Sequence, residues 1–158
     1  LPASANLWGQ PANRRQCPAP QIRCAMGHNP PPHAKRQTCP EAGQARLVEG
    51  VHQIDDNLLV EPAPGHTPGH ILLKLNSAKG QGVFCGDVIH HPLQIYAPDW
   101  NTQFCQNPEQ ARATRRRMLC HCAESGAKLF PTHFGAPHVT EIEDKSGKFL
   151  AKFITSQG

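Results

Sequence analysis

The chain has 158 residues, 38% of them hydrophobic, and a formal net charge of +4, which suits one domain with a buried core. No apolar run approaches the roughly 18 residues that a transmembrane helix needs, so we expect no membrane span. Seven cysteines, an odd number without the spacing of a disulfide framework, favour a reducing, cytoplasmic setting.

The charge is distributed unevenly along the chain. Residues 1–40 hold five basic residues, no acidic residue and eight of the 16 prolines, whereas residues 41–158 hold 11 basic and 12 acidic residues. Basic charge in a Pro-rich stretch without interleaved aromatics does not favour binding to nucleic acid. We therefore predict an irregular, Pro-rich basic segment over 1–40, either disordered or not native to the domain, and a folded domain over 41–158.

The basic segment also contains residues that can bind metals, namely Cys17, Cys24, His28, His33 and Cys39. Six residues separate the first two cysteines, whereas zinc modules place such ligands two to four residues apart. A zinc-binding regulatory module built on the three cysteines remains an alternative interpretation of this segment.

The pattern from residue 41 onward is that of an α/β domain. Strands are predicted at Ala45–Glu49, Leu58–Val60, His70–Leu75, Val83–Gly86 and Lys128–Phe130, and a hairpin at Val139–Glu143 with Lys148–Phe153. The segment Val83–Gly86 is short and apolar, as in a strand that is buried on both faces.

One long helix is predicted between these strands. Asn107 is a favourable N-cap, Pro108 suits the first helical position, and Gly126 suits the C-terminal end, so the helix should run to about Ser125. Its apolar side consists of Ala111, Met118, Leu119 and Cys122. The run Arg115–Arg117 is interpreted as a solvated face rather than as a phosphate-binding cluster.

Polar residues of metal-binding type follow three of the predicted strands. His66 lies in the loop Ala63–His70, where two Pro-Gly steps can hold an imidazole in one orientation. Asp87 directly follows a buried strand, where a carboxylate needs a cation or several donors nearby. His133 also follows an apolar strand. A single histidine of this kind is more often structural, but three such residues in one chain favour a metal site.

The Pro-Gly-His-Thr-Pro-Gly-His loop, followed by Gly86-Asp87 and then by Thr132-His133, resembles the C-terminal half of the metallo-β-lactamase-fold metallo-hydrolases. The resemblance is greatest to the branch of quorum-quenching lactonases and methyl parathion hydrolases, and it covers residues 41–158. It implies an α/β (α+β) fold, namely half of an αββα sandwich. This half would follow the irregular Pro-rich segment.

The resemblance also implies a role for each residue of the motifs. His66 is expected to bind one metal, His133 the second, and Asp87 to bridge the two ions. His70 is expected to orient a ligand rather than to bind a metal itself. The implied cofactor is zinc, with two divalent ions in the intact family and at most a partial site here.

The implied activity is metal-dependent hydrolysis of a small-molecule substrate. In the family, a metal-bound hydroxide attacks an ester, lactone, thioester or phosphotriester, and Asp87 would be the catalytic residue that holds this nucleophile. The substrate pocket would be lined by His90, His91, Tyr96 and Trp100, although a plain surface loop is an alternative for the last two. Lactonases of the family carry a tyrosine where this chain has His90, which argues against a lactone in particular.

The His-x-His-x-Asp-His motif of the family's N-terminal half does not occur in this sequence. An alternative is therefore an inactive truncated or degenerate family member, and we expect little or no hydrolase activity from the chain as given. We also expect His66, Asp87 and His133 to lie within about 10 Å of one another, the span that a two-metal site allows.

Overall fold

The computed structural model of the chain describes residues 47–155. The irregular segment predicted for residues 1–40, and the alternative zinc module built on its cysteines, lie outside the described residues. The domain boundary near residue 41 lies outside them as well and stays a prediction.

The described residues form one seven-stranded sheet whose spatial order follows the chain. The strands are β1 (His52–Gln53), β2 (Leu58–Pro62), β3 (Ile71–Ser77), β4 (Gly80–Phe84), β5 (Lys128–Phe130), β6 (Thr140–Lys145) and β7 (Lys148–Phe153). Neighbouring strands are antiparallel except β4 and β5, which are parallel. A parallel pair needs a long crossover connection, and the chain between these two strands provides it.

The crossover holds a short 3₁₀ helix (Gly86–Val88), helix α1 (Leu93–Tyr96) and helix α2 (Pro108–Ser125). The predicted ends of α2 are confirmed: the Asn107 side chain accepts a hydrogen bond from the Gln110 N–H, and Gly126 ends the helix in the left-handed conformation. Among residues 47–155, no helix has the length and apolarity to cross a membrane.

The core lies between α2 and one face of the sheet. The predicted apolar side of α2 is buried, with Met118, Leu119 and Cys122 each at most 1% exposed. From the sheet and its loops, the same cluster includes Leu72, Val83, Cys85, Leu129, Ile142 and Phe149. Alternation along the strands places these side chains on the face that the helix covers.

The other face of the sheet is open within the described part of the chain, which corrects the prediction that Val83–Gly86 is buried on both faces. Val83 is 1% exposed, but Phe84 is 39% exposed and Ile71 on the neighbouring strand is 46% exposed. The Phe84 ring stacks on Phe130, with 4.6 Å between the ring centroids. An apolar strand is buried on both faces only when other elements pack against both faces of the sheet. In the described residues, α2 packs against one face.

Two other local predictions differ from the structure. Residues 47–49 of the strand predicted at Ala45–Glu49 have no regular structure, since the first pairing to β2 is made by His52, opposite Val60. Tyr96 is the last residue of helix α1 rather than part of a surface loop, which was the alternative for it. The hairpin is confirmed, because β6 and β7 are joined by Ser146 and Gly147, both with positive φ as a tight hairpin turn requires.

Candidate metal centre

The sheet topology brings three of the predicted site residues to one edge. Strands β2, β4 and β5 run in the same direction, because β3 is antiparallel to both β2 and β4 while β5 is parallel to β4. Their C-terminal ends therefore lie at the same edge of the sheet. His66 follows β2, Asp87 follows β4 and His133 follows β5, so their side chains meet there.

Three histidines surround the carboxylate of Asp87. His133 Nε2 donates a hydrogen bond of 2.6 Å to Oδ1, and His66 Nε2 lies 3.4 Å from Oδ2. His90 Nε2 lies 3.9 Å from Oδ1. The residues predicted to converge are thus brought together, and His90 joins them. Their roles as metal ligands stay a prediction.

The loop that carries His66 is fixed by helix α2. The backbone N–H groups of Gln106 and Asn107, just before the helix, donate to the carbonyls of His66 and Gly65. The Thr114 hydroxyl donates a 2.6 Å hydrogen bond to the Pro64 carbonyl. Gly65 has a φ of +137°, and a Cβ there would lie 2.4 Å from the Ala111 backbone. The first Pro-Gly step therefore allows the loop to rest directly on α2.

His70 contacts the backbone of Asp87 rather than its carboxylate. Its Nε2 accepts a 2.9 Å hydrogen bond from the Asp87 N–H, and its ring lies so close to Gly86 that a Cβ there would come within 2.9 Å of Nε2. Since Nε2 already accepts this hydrogen bond, the geometry suits a residue that positions Asp87.

His90 lies in the segment from Val88 to Asn101, and the side chain of Gln94 connects the two ends of this segment. The side-chain carbonyl of Gln94 accepts hydrogen bonds from the N–H groups of His90 and His91, at 2.7 and 3.2 Å. Its amide group donates to the Trp100 carbonyl at 2.8 Å. A buried amide thus ties the two ends of the segment together and fixes the backbone from which the His90 side chain projects.

Arg115 holds the same segment from helix α2, which corrects its interpretation as part of a solvated face. The side chain is fully buried and donates to the carbonyls of Val88, Pro98 and Trp100 and to Asn101 Oδ1. Burial lowers the pKa of its guanidinium. Arg116 is exposed and pairs with Asp99 at 2.6 Å. The prediction of a solvated face is therefore right for Arg116 and wrong for Arg115.

The remaining predicted pocket residues are not brought into this cluster. His91 is exposed, and its Nδ1 accepts a hydrogen bond from the Leu93 N–H. Tyr96 and Trp100 are 48% and 62% exposed. Their role in lining a substrate pocket stays a prediction.

The electrostatics of the cluster favour the protonation states that bind metals. The hydrogen bond from His133 lowers the pKa of Asp87. Burial lowers the pKa of both His70 and His90. An anionic carboxylate and neutral imidazoles are the ligand forms of these groups.

The donor set also fits a zinc ion by its chemistry and spacing. One ligand atom each from His66, Asp87 and His90 lie within 4.8 Å of one another. Zinc is commonly bound by imidazole nitrogens and carboxylate oxygens. The Nδ1 atoms of His66 and His90 are buried without a hydrogen-bond partner among residues 47–155. Hydrogen bonds to described residues therefore do not account for these two buried nitrogens.

Sequence reasoning placed His90 in the pocket rather than the cluster and did not find Gln94 or Arg115. The spacing Asp87-x-x-His90 was an available signal, because residues three apart face the same side of a single helical turn. Gln94 and Arg115 act through contacts that depend on the folding of the whole crossover, for which the sequence offers no local signal.

Solved structures show which fold the described residues adopt. AidC, a dizinc quorum-quenching lactonase in complex with a product, superposes with a TM-score of 0.67 at 21% identity, over 74% of this chain and 40% of AidC. The hydrolase AbOPH, of the beta lactamase superfamily, gives 0.67 at 23% identity, over 75% of this chain and 41% of AbOPH. A probable metal-dependent hydrolase from Staphylococcus aureus gives 0.63 at 17% identity, with coverages of 73% and 42%.

The predicted fold class is thereby confirmed: the described residues have the fold of part of a metallo-β-lactamase-fold enzyme. The chain spans about two fifths of the length of these structural neighbours. No protein-family model and no curated protein matches the chain.

Proposed function

We propose that this chain carries part of the active site of a metal-dependent hydrolase that uses zinc and acts on an ester, lactone, thioester or phosphotriester. One observation carries the proposal: three imidazoles surround a single carboxylate, at the edge of the sheet where three strands end. The fold supports it, because AidC and AbOPH have the same fold and are a lactonase and a hydrolase.

The residues of this chain would bind the metal and keep its ligands in place. His66, Asp87 and His133 would hold zinc, and the hydrogen bond from the Asp87 N–H to His70 would fix the turn that presents the carboxylate. A bound zinc would lower the pKa of a water and polarise the carbonyl or phosphoryl oxygen of the substrate. The segment that Arg115 and Gln94 hold would keep the His90 side chain beside the cluster.

A second candidate function is metal binding without turnover, in a degenerate or partial relative. The described residues supply one carboxylate to the cluster, and the sheet face beside it is open, with Phe84 39% exposed. A two-metal hydrolytic site holds ions about 3.5–4 Å apart and needs further ligands. The sequence lacks the His-x-His-x-Asp-His motif that provides them in the family.

The two candidates differ in turnover and agree in zinc binding. The full chain is purified and its zinc content is measured, together with hydrolysis of an aryl ester, a lactone and a phosphotriester in the presence of zinc. The variants are His66→Ala and Asp87→Asn, with His52→Ala on the edge strand β1 as the matched histidine control.

We expect the chain and the control variant to bind zinc and the two site variants to lose it, with turnover low. Turnover that disappears in Asp87→Asn supports the hydrolase, and zinc binding without turnover supports the second candidate. A folded chain that binds no zinc, or turnover that persists in Asp87→Asn, would contradict the proposed function.

A further inference from the structure

The imidazole of His90 lies inside the cluster, between two other histidine rings. Its ring centroid is 4.9 Å from that of His66 and 4.9 Å from that of His133, and it is nearly parallel to the latter, with 11° between the planes. The side chain is 16% exposed, less than half the exposure of His133. His90 thus lies among the residues predicted to bind metal, rather than only lining a substrate pocket.

Neither ring nitrogen of His90 has a hydrogen bond to any described residue. Nε2 lies 3.9 Å from Asp87 Oδ1, which is too long for a hydrogen bond, and the Nδ1 atom is buried without a partner. Burying the Nδ1 atom without a partner costs free energy. Neither nitrogen is hydrogen-bonded to another described side chain, so each is available to bind a cation.

The fixed backbone around His90 makes this position reproducible. Gln94 accepts from the His90 N–H at 2.7 Å, and Arg115 Nε donates to the Val88 carbonyl at 2.9 Å, two residues before it. The side chain is thus held beside Asp87 in one position.

We propose that His90 is a metal ligand, and that it completes, with His66 and Asp87, a set of three donors that holds one zinc ion. The proposal rests on the metal site of the proposed function and adds a ligand to it. The three donor atoms lie within 4.8 Å of one another. Two histidines and one carboxylate, with a coordination position left open, are an established ligand set of catalytic zinc. His133 contacts the same carboxylate from the other side of His90 and would remain for the second ion of a two-metal site.

The first test is the affinity for the first equivalent of zinc, measured by competition with a chromophoric chelator. The full chain is compared with His90→Ala, His133→Ala and the control His52→Ala, each first checked for a native circular dichroism spectrum. Loss of a direct ligand should weaken zinc binding by more than about 100-fold, because loss of a residue that only hydrogen-bonds to a ligand already weakens metal binding by about 10–100-fold. We expect that loss for His90→Ala, a smaller loss for His133→Ala and no change for the control.

The second test needs no variant and therefore does not depend on whether His90→Ala folds. The imidazole nitrogens of the ¹⁵N-labelled chain are followed by NMR while zinc is added. We expect the nitrogen resonances of His66 and His90 to shift together with the first equivalent.

The outcomes separate the inference from the proposed function. If zinc shifts the His66 resonances and leaves those of His90 unchanged, or if His90→Ala binds zinc as tightly as the unmodified chain while His66→Ala does not, the inference is wrong and the proposed function stands. If zinc shifts no imidazole resonance, and if Asp87→Asn binds zinc as tightly as the unmodified chain, the metal site of the proposed function is wrong.

Discussion

At the scale of single residues, the sequence predicted the position of a side chain well where the direction of the preceding strand determines that position. His66, Asp87 and His133 each follow a strand within four residues of its end, and the directions of β2, β4 and β5 place all three at one edge of the sheet. His90 was placed less well, because its direction depends on a single helical turn that a distant glutamine and arginine hold. Local sequence does not encode such contacts.

The glycine before His66 gives a prediction at this scale. Gly65→Ala should destabilise the fold by about 2 kcal/mol or more, because a φ of +137° is unfavourable for alanine and its Cβ would lie 2.4 Å from the Ala111 backbone. Zinc affinity should fall as well, since His66 is the next residue. Thermal unfolding and zinc titration measure the two effects.

The second Pro-Gly step of the same loop provides the matched control. A Cβ at Gly69 would meet no atom within 4 Å, so Gly69→Ala should change stability little. Equal effects of the two substitutions would show that the close contact between the loop and α2 does not explain the need for glycine at position 65.

At the scale of elements, helix α2 and the segment from Val88 to Asn101 form one unit. The start and end of α2 could be predicted, since caps are local. The burial of Arg115 could not, because consecutive residues on a helix point about 100° apart and a run of three arginines must face three directions. Arg115 faces the segment, Arg116 faces Asp99 at the surface, and Arg117 donates to the carbonyl of Pro62.

Arg115→Lys should therefore destabilise the protein although it keeps the positive charge. The guanidinium makes four hydrogen bonds from three nitrogen atoms. The lysine ammonium has a single nitrogen and cannot reach all four acceptors. Each buried carbonyl left without a donor costs about 1–3 kcal/mol, so we expect a loss of about 3 kcal/mol in the free energy of unfolding, measured with urea.

The neighbouring arginine is the control for this substitution. Arg116 pairs with Asp99 at the surface, where both side chains are largely exposed, so Arg116→Lys should change stability by less than about 1 kcal/mol. A loss at position 115 no larger than that at position 116 would mean that the buried hydrogen bonds do not stabilise the segment.

At the scale of the whole molecule, the exposure of the sheet could not be predicted from the pattern of β4 alone. Patterning predicted the strands and the helix along the chain, and the described part of the chain forms a sheet with α2 on one face. The apolar pattern of β4 is the same whether one or both of its faces are covered, so it does not predict that Phe84 is 39% exposed. Coverage is a property of the assembled layers.

The buried ionic network between α2 and the sheet gives a prediction for the stability of the whole molecule. Lys74 and Arg117 both pair with Glu61, at 2.6 and 3.3 Å. His121 lies beside them on α2, where burial first, and the charge of Lys74 second, lower its pKa from 6.5 to about 4. In the folded protein this imidazole stays neutral down to that pH, whereas the unfolded chain binds a proton below pH 6.5.

Because the unfolded state binds more protons between these two pKa values, the free energy of unfolding should fall as the pH is lowered from 6.5 to 4. We expect His121 to contribute a loss of roughly 2 kcal/mol by the lower end of this range. Thermal and urea unfolding at several pH values measure it, with His121→Gln compared against His52→Gln. Burial also lowers the pKa of His70 and His90, which acts in the same direction, so His121→Gln should reduce the pH dependence without abolishing it. If His121→Gln unfolds with the same pH dependence as the unmodified chain, burial and the charge of Lys74 do not keep His121 neutral.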